Sequence, residues 1–173
     1  MGIQVRKRTA ELIGLHRRYW TEGVDLEVAA AIMALHRADD ALRERAGVVW
    51  ARHGLTPAEF DVLATLRRSP PPRQLTPSEI QGAMLITSGG LTKAMASLEA
   101  KGLVSRSRSD VDQRVRPVKL CAAGKRLAER VMAELTAATA ELVRSQLQPK
   151  ELSQLTQLLD KLDLAAVAGR KDA

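Results

Sequence analysis

Thr76-Pro77-Ser78-Glu79-Ile80, then Thr87-Ser88-Gly89-Gly90-Leu91-Thr92-Lys93, then Lys101-Gly102-Leu103-Val104: this stretch decides the fold. Thr76 with Glu79 three residues on is a capping box, and Pro77 stands at the first helical position, where its missing N–H costs nothing. A short helix is predicted there, with Ile80 and Met84 inward. A second helix is predicted from the Thr-Ser-Gly-Gly start, with Leu91, Met95 and Leu98 on one face at i, i+4 and i+7. Lys101 and Gly102 end it with a cation in the last turn and a glycine suited to the left-handed position beyond. Two short helices joined by a tight turn form a helix-turn-helix.

After Gly102 the period changes. Residues 103–108 and 115–120 read as two strands around the polar turn 109–114, a β-hairpin that makes a wing. Pro117 cannot donate to a central ladder, so its strand is expected at a sheet edge. Upstream, Thr56-Pro57-Ala58-Glu59 repeats the capping box. It opens a helix burying Phe60, Leu63 and Leu66, and Ser69-Pro70-Pro71-Pro72 ends that helix. Residues 27–52 form a long predicted helix with a heptad-like stripe of Val28, Ile32, Leu35, Leu42, Ala46 and Val49, stopped by His53-Gly54. Residues 122–147 form another, with Leu127, Val131, Leu135, Ala138 and Leu142. Pro149 opens a last helix carrying Leu152, Leu155, Leu158, Leu159 and Leu162. The first 20 residues read as a short amphipathic helix with a basic face. The expected fold class is mainly α: a winged helix-turn-helix with long N- and C-terminal helices and a two- or three-stranded β-wing.

Composition narrows the function. The 173 residues suit one domain with helical extensions. A single cysteine, Cys121, excludes an intrachain disulfide and a cysteine-rich zinc site. With two Trp, one Tyr and one Phe, the chain lacks the aromatics on which single-strand RNA readers stack bases. No apolar run approaches the ~20 residues of a membrane span, and the start lacks a signal-peptide core, so a cytoplasmic location is expected. The net charge is +7, and residues 73–120 hold eight basic and four acidic groups, net +4. Such a basic module concentrates polyanions by releasing their counterions. The bland reading is a solvated surface with a mild excess of charge.

On the predicted helix before Lys101, 100° steps turn Gly89, Lys93, Ala96 and Ser97 outward, with Thr92 at the margin. Small residues around one lysine let a helix sink into a major groove, where Lys93 can donate to guanine and Thr92 or Ser97 can touch phosphate or a thymine methyl. N–H groups at Thr87, Ser88, Gly89 and Gly90 suit a phosphate, and Ser78 is a further candidate contact on the preceding helix. Arg106, Arg108, Arg114 and Arg116 crowd the hairpin, and Asp112 can pair with Arg114 and aim it. A wing arginine reads a minor groove by its width and potential; the alternative is that edge charges merely prevent aggregation. His16, His36 and His53 have no metal-ligand spacing, and no catalytic signature is present. No enzyme, metal or cofactor is expected.

Taken together, Leu75 to Ile80, Thr87 to Lys93, Leu98-Glu99-Ala100-Lys101-Gly102-Leu103-Val104 and Asp112-Gln113-Arg114 resemble the MarR family of winged-helix transcription regulators, over roughly residues 28–165. The resemblance implies a homodimer joined by its N- and C-terminal helices. It implies binding to double-stranded promoter DNA, usually repression, and release when a small aromatic or anionic effector binds between the dimerisation and DNA-binding parts. It assigns 1–24 to an N-terminal helical extension, 25–54 to a dimerisation helix, 55–121 to the winged helix-turn-helix and 122–173 to C-terminal dimerisation helices. Gln113, Ala94 and Cys121 depart from residues common in the family, the first two thinning the positive surface.

The urate-responsive branch of that family uses a tryptophan, an aspartate and arginines as its effector site, and Trp20, Asp61 and Arg106 fill three of those places. Ala94 leaves the fourth empty. The alternative makes Trp20 a buried anchor, Asp61 a surface acid and Arg106 a phosphate contact; on that reading urate leaves the melting temperature unchanged. Cys121 begins a helix, where a thiol can become acidic, but a small packed side chain is the expected role. The rival functions are a protein-interaction module and a small-molecule-binding protein on the same dimeric fold.

Overall fold

The computed structural model describes residues 7–84, 90–106 and 117–169, with side chains to 162. The chain packs as two units, Met1–Val48 and Val49–Ala173. The first holds α1 (Thr9–Tyr19) and most of α2 (Leu26–Arg52). Asp25 opens α2: its Oδ1 accepts the backbone N–H groups of Glu27 and Val28 at 3.0 and 3.1 Å, two of the orphan donors of a helix start. Ile13 is the buried residue of α1.

The second unit is built around α3 (Pro57–Arg68). Every residue from Glu59 to Leu66 is buried, because α4 (Pro77–Ala83), α5 (Leu91–Ala100), α6 (Ala122–Gln146) and a strand all pack on it. Both predicted capping boxes are formed. Thr56 Oγ1 accepts the Glu59 N–H while Glu59 Oε2 accepts the Thr56 N–H, and Thr76 and Glu79 do the same. Gly54 (φ 63°) and Gly102 (φ 65°) take the left-handed conformation after α2 and α5, as a helix stop requires.

Among the described residues, three antiparallel strands complete the unit: β1 (Gln74–Leu75), β2 (Val104–Arg106) and β3 (Val118–Leu120), in the order β1-β3-β2. Val104 stands opposite Leu120 and Arg106 opposite Val118; on the other side Leu75 stands opposite Val118. The strand after Pro117 is therefore central, which corrects the expected edge position. Pro117 lies one residue before the ladder, so its missing N–H breaks no bond in it. Val104, Val118 and Leu120 are buried and Ser105 and Lys119 exposed, the alternation of a one-sided sheet.

The last helix, α7, spans Pro149–Gly169. The Leu158 and Leu162 side chains of this single chain are 57% and 63% exposed. Among the described residues no helix is long and apolar enough to cross a membrane.

Candidate nucleic-acid interface

The helix-turn-helix is α4 followed by α5. Leu91, Ala94, Met95 and Leu98 are buried against α3, while Thr92, Lys93 and Ala96 are exposed. The outward face is thus a lysine between two small side chains, as the 100° periodicity predicts. Its N-cap is Gly90 at φ 95°, exposed, where a side chain would be strained. Ser78, in the first turn of α4, is also exposed. Thr87, Ser88 and Gly89 lie outside the described residues, as do Arg108, Asp112, Arg114 and Arg116 of the wing.

Ser97 departs from the expected outward direction. It is half-buried, and its hydroxyl donates to Glu59 Oε1 at 2.6 Å. Lys101 Nζ donates to the same oxygen at 2.7 Å and to the Gly54 carbonyl at 3.0 Å. The Glu59 side chain is 4% exposed. Burial alone would raise its pKa; the bonds from Lys101, Ser97 and Thr56 outweigh that and hold it at about 2. The capping box exposed Glu59 to sequence reasoning only as a cap. Its second partner set was signalled by Ser97 and Lys101, which stand four apart and so share a helix face, but nothing local names the acid they meet.

The three effector candidates are placed differently from their bland alternatives. Trp20 is 63% exposed rather than a buried anchor, and its ring lies 5.2 Å from that of His16. It borders a small apolar groove with Leu12, Leu15 and Met33. Asp61 is buried, not a surface acid, and Arg68 lies 3.6 Å from its Oδ1. That same Arg68 donates to Thr65 Oγ1 and to the Ala83 carbonyl, tying the end of α3 to the end of α4. Arg106, the phosphate contact of the alternative, instead has its Nε 3.2 Å from a carboxylate oxygen of Glu99 on α5. Trp20 belongs to the first unit and Asp61 and Arg106 to the second. Cys121 is half-buried at the start of α6, its N–H bonded to the Leu103 carbonyl.

The chain is similar to known proteins in sequence and in fold. The sequence model of the MarR family matches residues 53–115. The HTH-type transcriptional regulator PecS of Dickeya dadantii is 32% identical over 111 residues, 64% of this chain and 67% of that protein. MhqR of Bacillus subtilis, also an HTH-type transcriptional regulator, is 31% identical over 116 residues, 66% of this chain and 77% of its own. Among solved structures, Sco3205 of Streptomyces coelicolor, a MarR family transcriptional regulator in complex with DNA, superposes with a TM-score of 0.73. It is 22% identical, with 83% of this chain and 93% of that one covered, a likeness of fold.

Proposed function

The chain belongs to the MarR family of transcriptional regulators, and from that premise we propose that it binds double-stranded promoter DNA sequence-specifically as a homodimer, as a repressor released by a small effector. The family is one of regulators and not of enzymes. The observation that carries the DNA reading is the face of α5: Thr92, Lys93 and Ala96 outward, with a buried apolar side fixed on α3. A helix with such a face fits a major groove, and its lysine reaches base edges where larger neighbours would hold it off. Thr87, Ser88, Gly89, Gly90, Ser78 and Thr92 are assigned to phosphate and margin contacts. Arg108, Arg114 and Arg116 are assigned to the wing, with Asp112 orienting Arg114. Residues 25–54 and 122–173 are assigned to dimerisation. Two-fold symmetry then calls for a pseudo-palindromic operator with half-sites about one turn, ~10 bp, apart. The site of action is the cytoplasm, with the promoter.

Binding of wild type and two variants to an operator duplex tests this. Lys93→Ala relaxes base preference and costs ~1–3 kcal/mol. Arg114→Ala weakens binding across sequences and reduces its salt dependence. Wild-type behaviour in both would remove the assigned surface.

For the effector, a small aromatic or anionic molecule is the proposed class. A cleft of about 400 Å³ lined by Ala64, Ala128, Met132, Arg67, Arg68 and Glu129 supports it, with Arg67 paired to Glu129 at 2.7 Å: apolar walls with a few charged groups suit such a ligand. Urate is not the proposed ligand. Ala94 is buried and apolar where the urate-responsive pattern needs a cation, so micromolar urate should leave the melting temperature unchanged. A saturable rise would contradict this.

A further inference from the structure

The contacts on the inner side of α5 are of two kinds. Leu91, Ala94, Met95 and Leu98 bury an apolar face, which holds the helix against α3 but is non-directional. Glu59, Ser97 and Lys101 add bonds with fixed lengths and angles, both to a charged carboxylate and one of them, from Lys101, between two charged partners. Both Glu59 oxygens are engaged: Oε2 by its own helix cap, Oε1 by two side chains from α5. The carboxylate therefore belongs to the frame of α3 and grips α5 from that frame. Lys101 extends the grip to the Gly54 carbonyl, in the turn between α2 and α3.

We infer that Glu59 is a positioning residue for DNA reading: by holding Ser97 and Lys101 it sets the rotation of α5 about its axis, and so which outward side chain meets the bases. This rests on α5 being the DNA-reading helix. Bases are read through hydrogen bonds whose geometry tolerates little displacement, whereas phosphates are met by charge over a longer range. A small roll of α5 therefore lowers affinity for the operator much more than affinity for unrelated DNA. It also gives Ser97 a role different from a phosphate contact, since its proton is spent on Glu59.

The test compares binding of the full chain to two duplexes: one from the region upstream of its own coding sequence, and a shuffled duplex of the same length and composition. Ser97→Ala and Lys101→Met are measured beside Lys101→Arg and Lys93→Ala, well below the melting temperature of each. Ser97→Ala removes one donor without changing charge, so it stands if Lys101→Met fails to fold. The expected result is a fall of roughly five- to tenfold in the operator-to-shuffled ratio for Ser97→Ala and Lys101→Met, with little change on the shuffled duplex. Lys101→Arg, which keeps the charge and its donors, stays within about twofold of wild type. If Lys93→Ala lowers the ratio while Ser97→Ala and Lys101→Met leave it unchanged, α5 reads DNA but Glu59 does not position it. Equal losses on both duplexes for Ser97→Ala would make it a phosphate contact and overturn the inference. If Lys93→Ala also leaves the ratio unchanged, α5 is not the reading helix, and the inference falls with that assignment.

Discussion

Glu59 serves two helices with one carboxylate, and its charge is what both uses require. Its pKa is held at about 2, against 4.5 for an ordinary glutamate, by donors present only in the folded chain. A carboxylate whose folded pKa is depressed contributes stability that is complete above its unfolded value. That contribution is lost as the pH falls from about 4.5 toward about 2, where Glu59 takes up a proton. Glu59→Gln should therefore melt at a lower temperature than wild type at neutral pH, and the gap should narrow through that acid window. Melting followed by circular dichroism across pH checks it; a gap independent of pH would mean the charge contributes nothing. The cap itself was legible in the sequence because Thr56 and Glu59 are three residues apart. The bond to Ser97 spans 38 residues, and no local pattern reports it. For the same reason burial of Asp61 was misread: its helix is packed against α4, α5, α6 and β3, all of which come later in the chain.

At the scale of elements, helices were more legible than sheet order. The apolar period places α2 and α6 to within a residue or two, and Pro149 marks the start of α7. The position of β3 was missed because its second neighbour, β1, is two residues long and carries no alternation to read. Gly124, in the first turn of α6, packs closely against the backbone of Leu103, just before β2. A Cβ on Gly124 would overlap the Leu103 carbonyl oxygen and press on Leu120 Cδ1. That carbonyl also accepts the Cys121 N–H, so the backbone cannot yield without breaking the bond. Gly124→Ala should destabilise the chain by about 1–3 kcal/mol, as other over-packed sites do. A denaturant midpoint equal to that of wild type would show that α6 shifts freely at its start.

At the scale of the whole molecule, the apolar surface left open is what calls for a partner. On α2, Val28, Ile32 and Leu35 are exposed at helical spacing; on α7, Leu155, Leu158 and Leu162 are exposed as well. Stripes of this kind are core positions once a second copy covers them. Leu158→Glu combined with Leu162→Glu should shift the chain from dimer to monomer in sedimentation and cost most of its operator affinity, since one half-site alone then binds. Unchanged sedimentation would move the interface elsewhere. The stripes were legible as periodicity; the proposal that two chains share them comes from the family resemblance, because one sequence does not say what covers an apolar face. The proposal that two protomers read one duplex is tested most directly by titrating the full chain into the DNA upstream of its own gene at ~50 and ~200 mM salt. Two protomers per site, preference over shuffled DNA, and an affinity lower by roughly a thousandfold at the higher salt are expected. Binding that ignores both sequence and salt would contradict it.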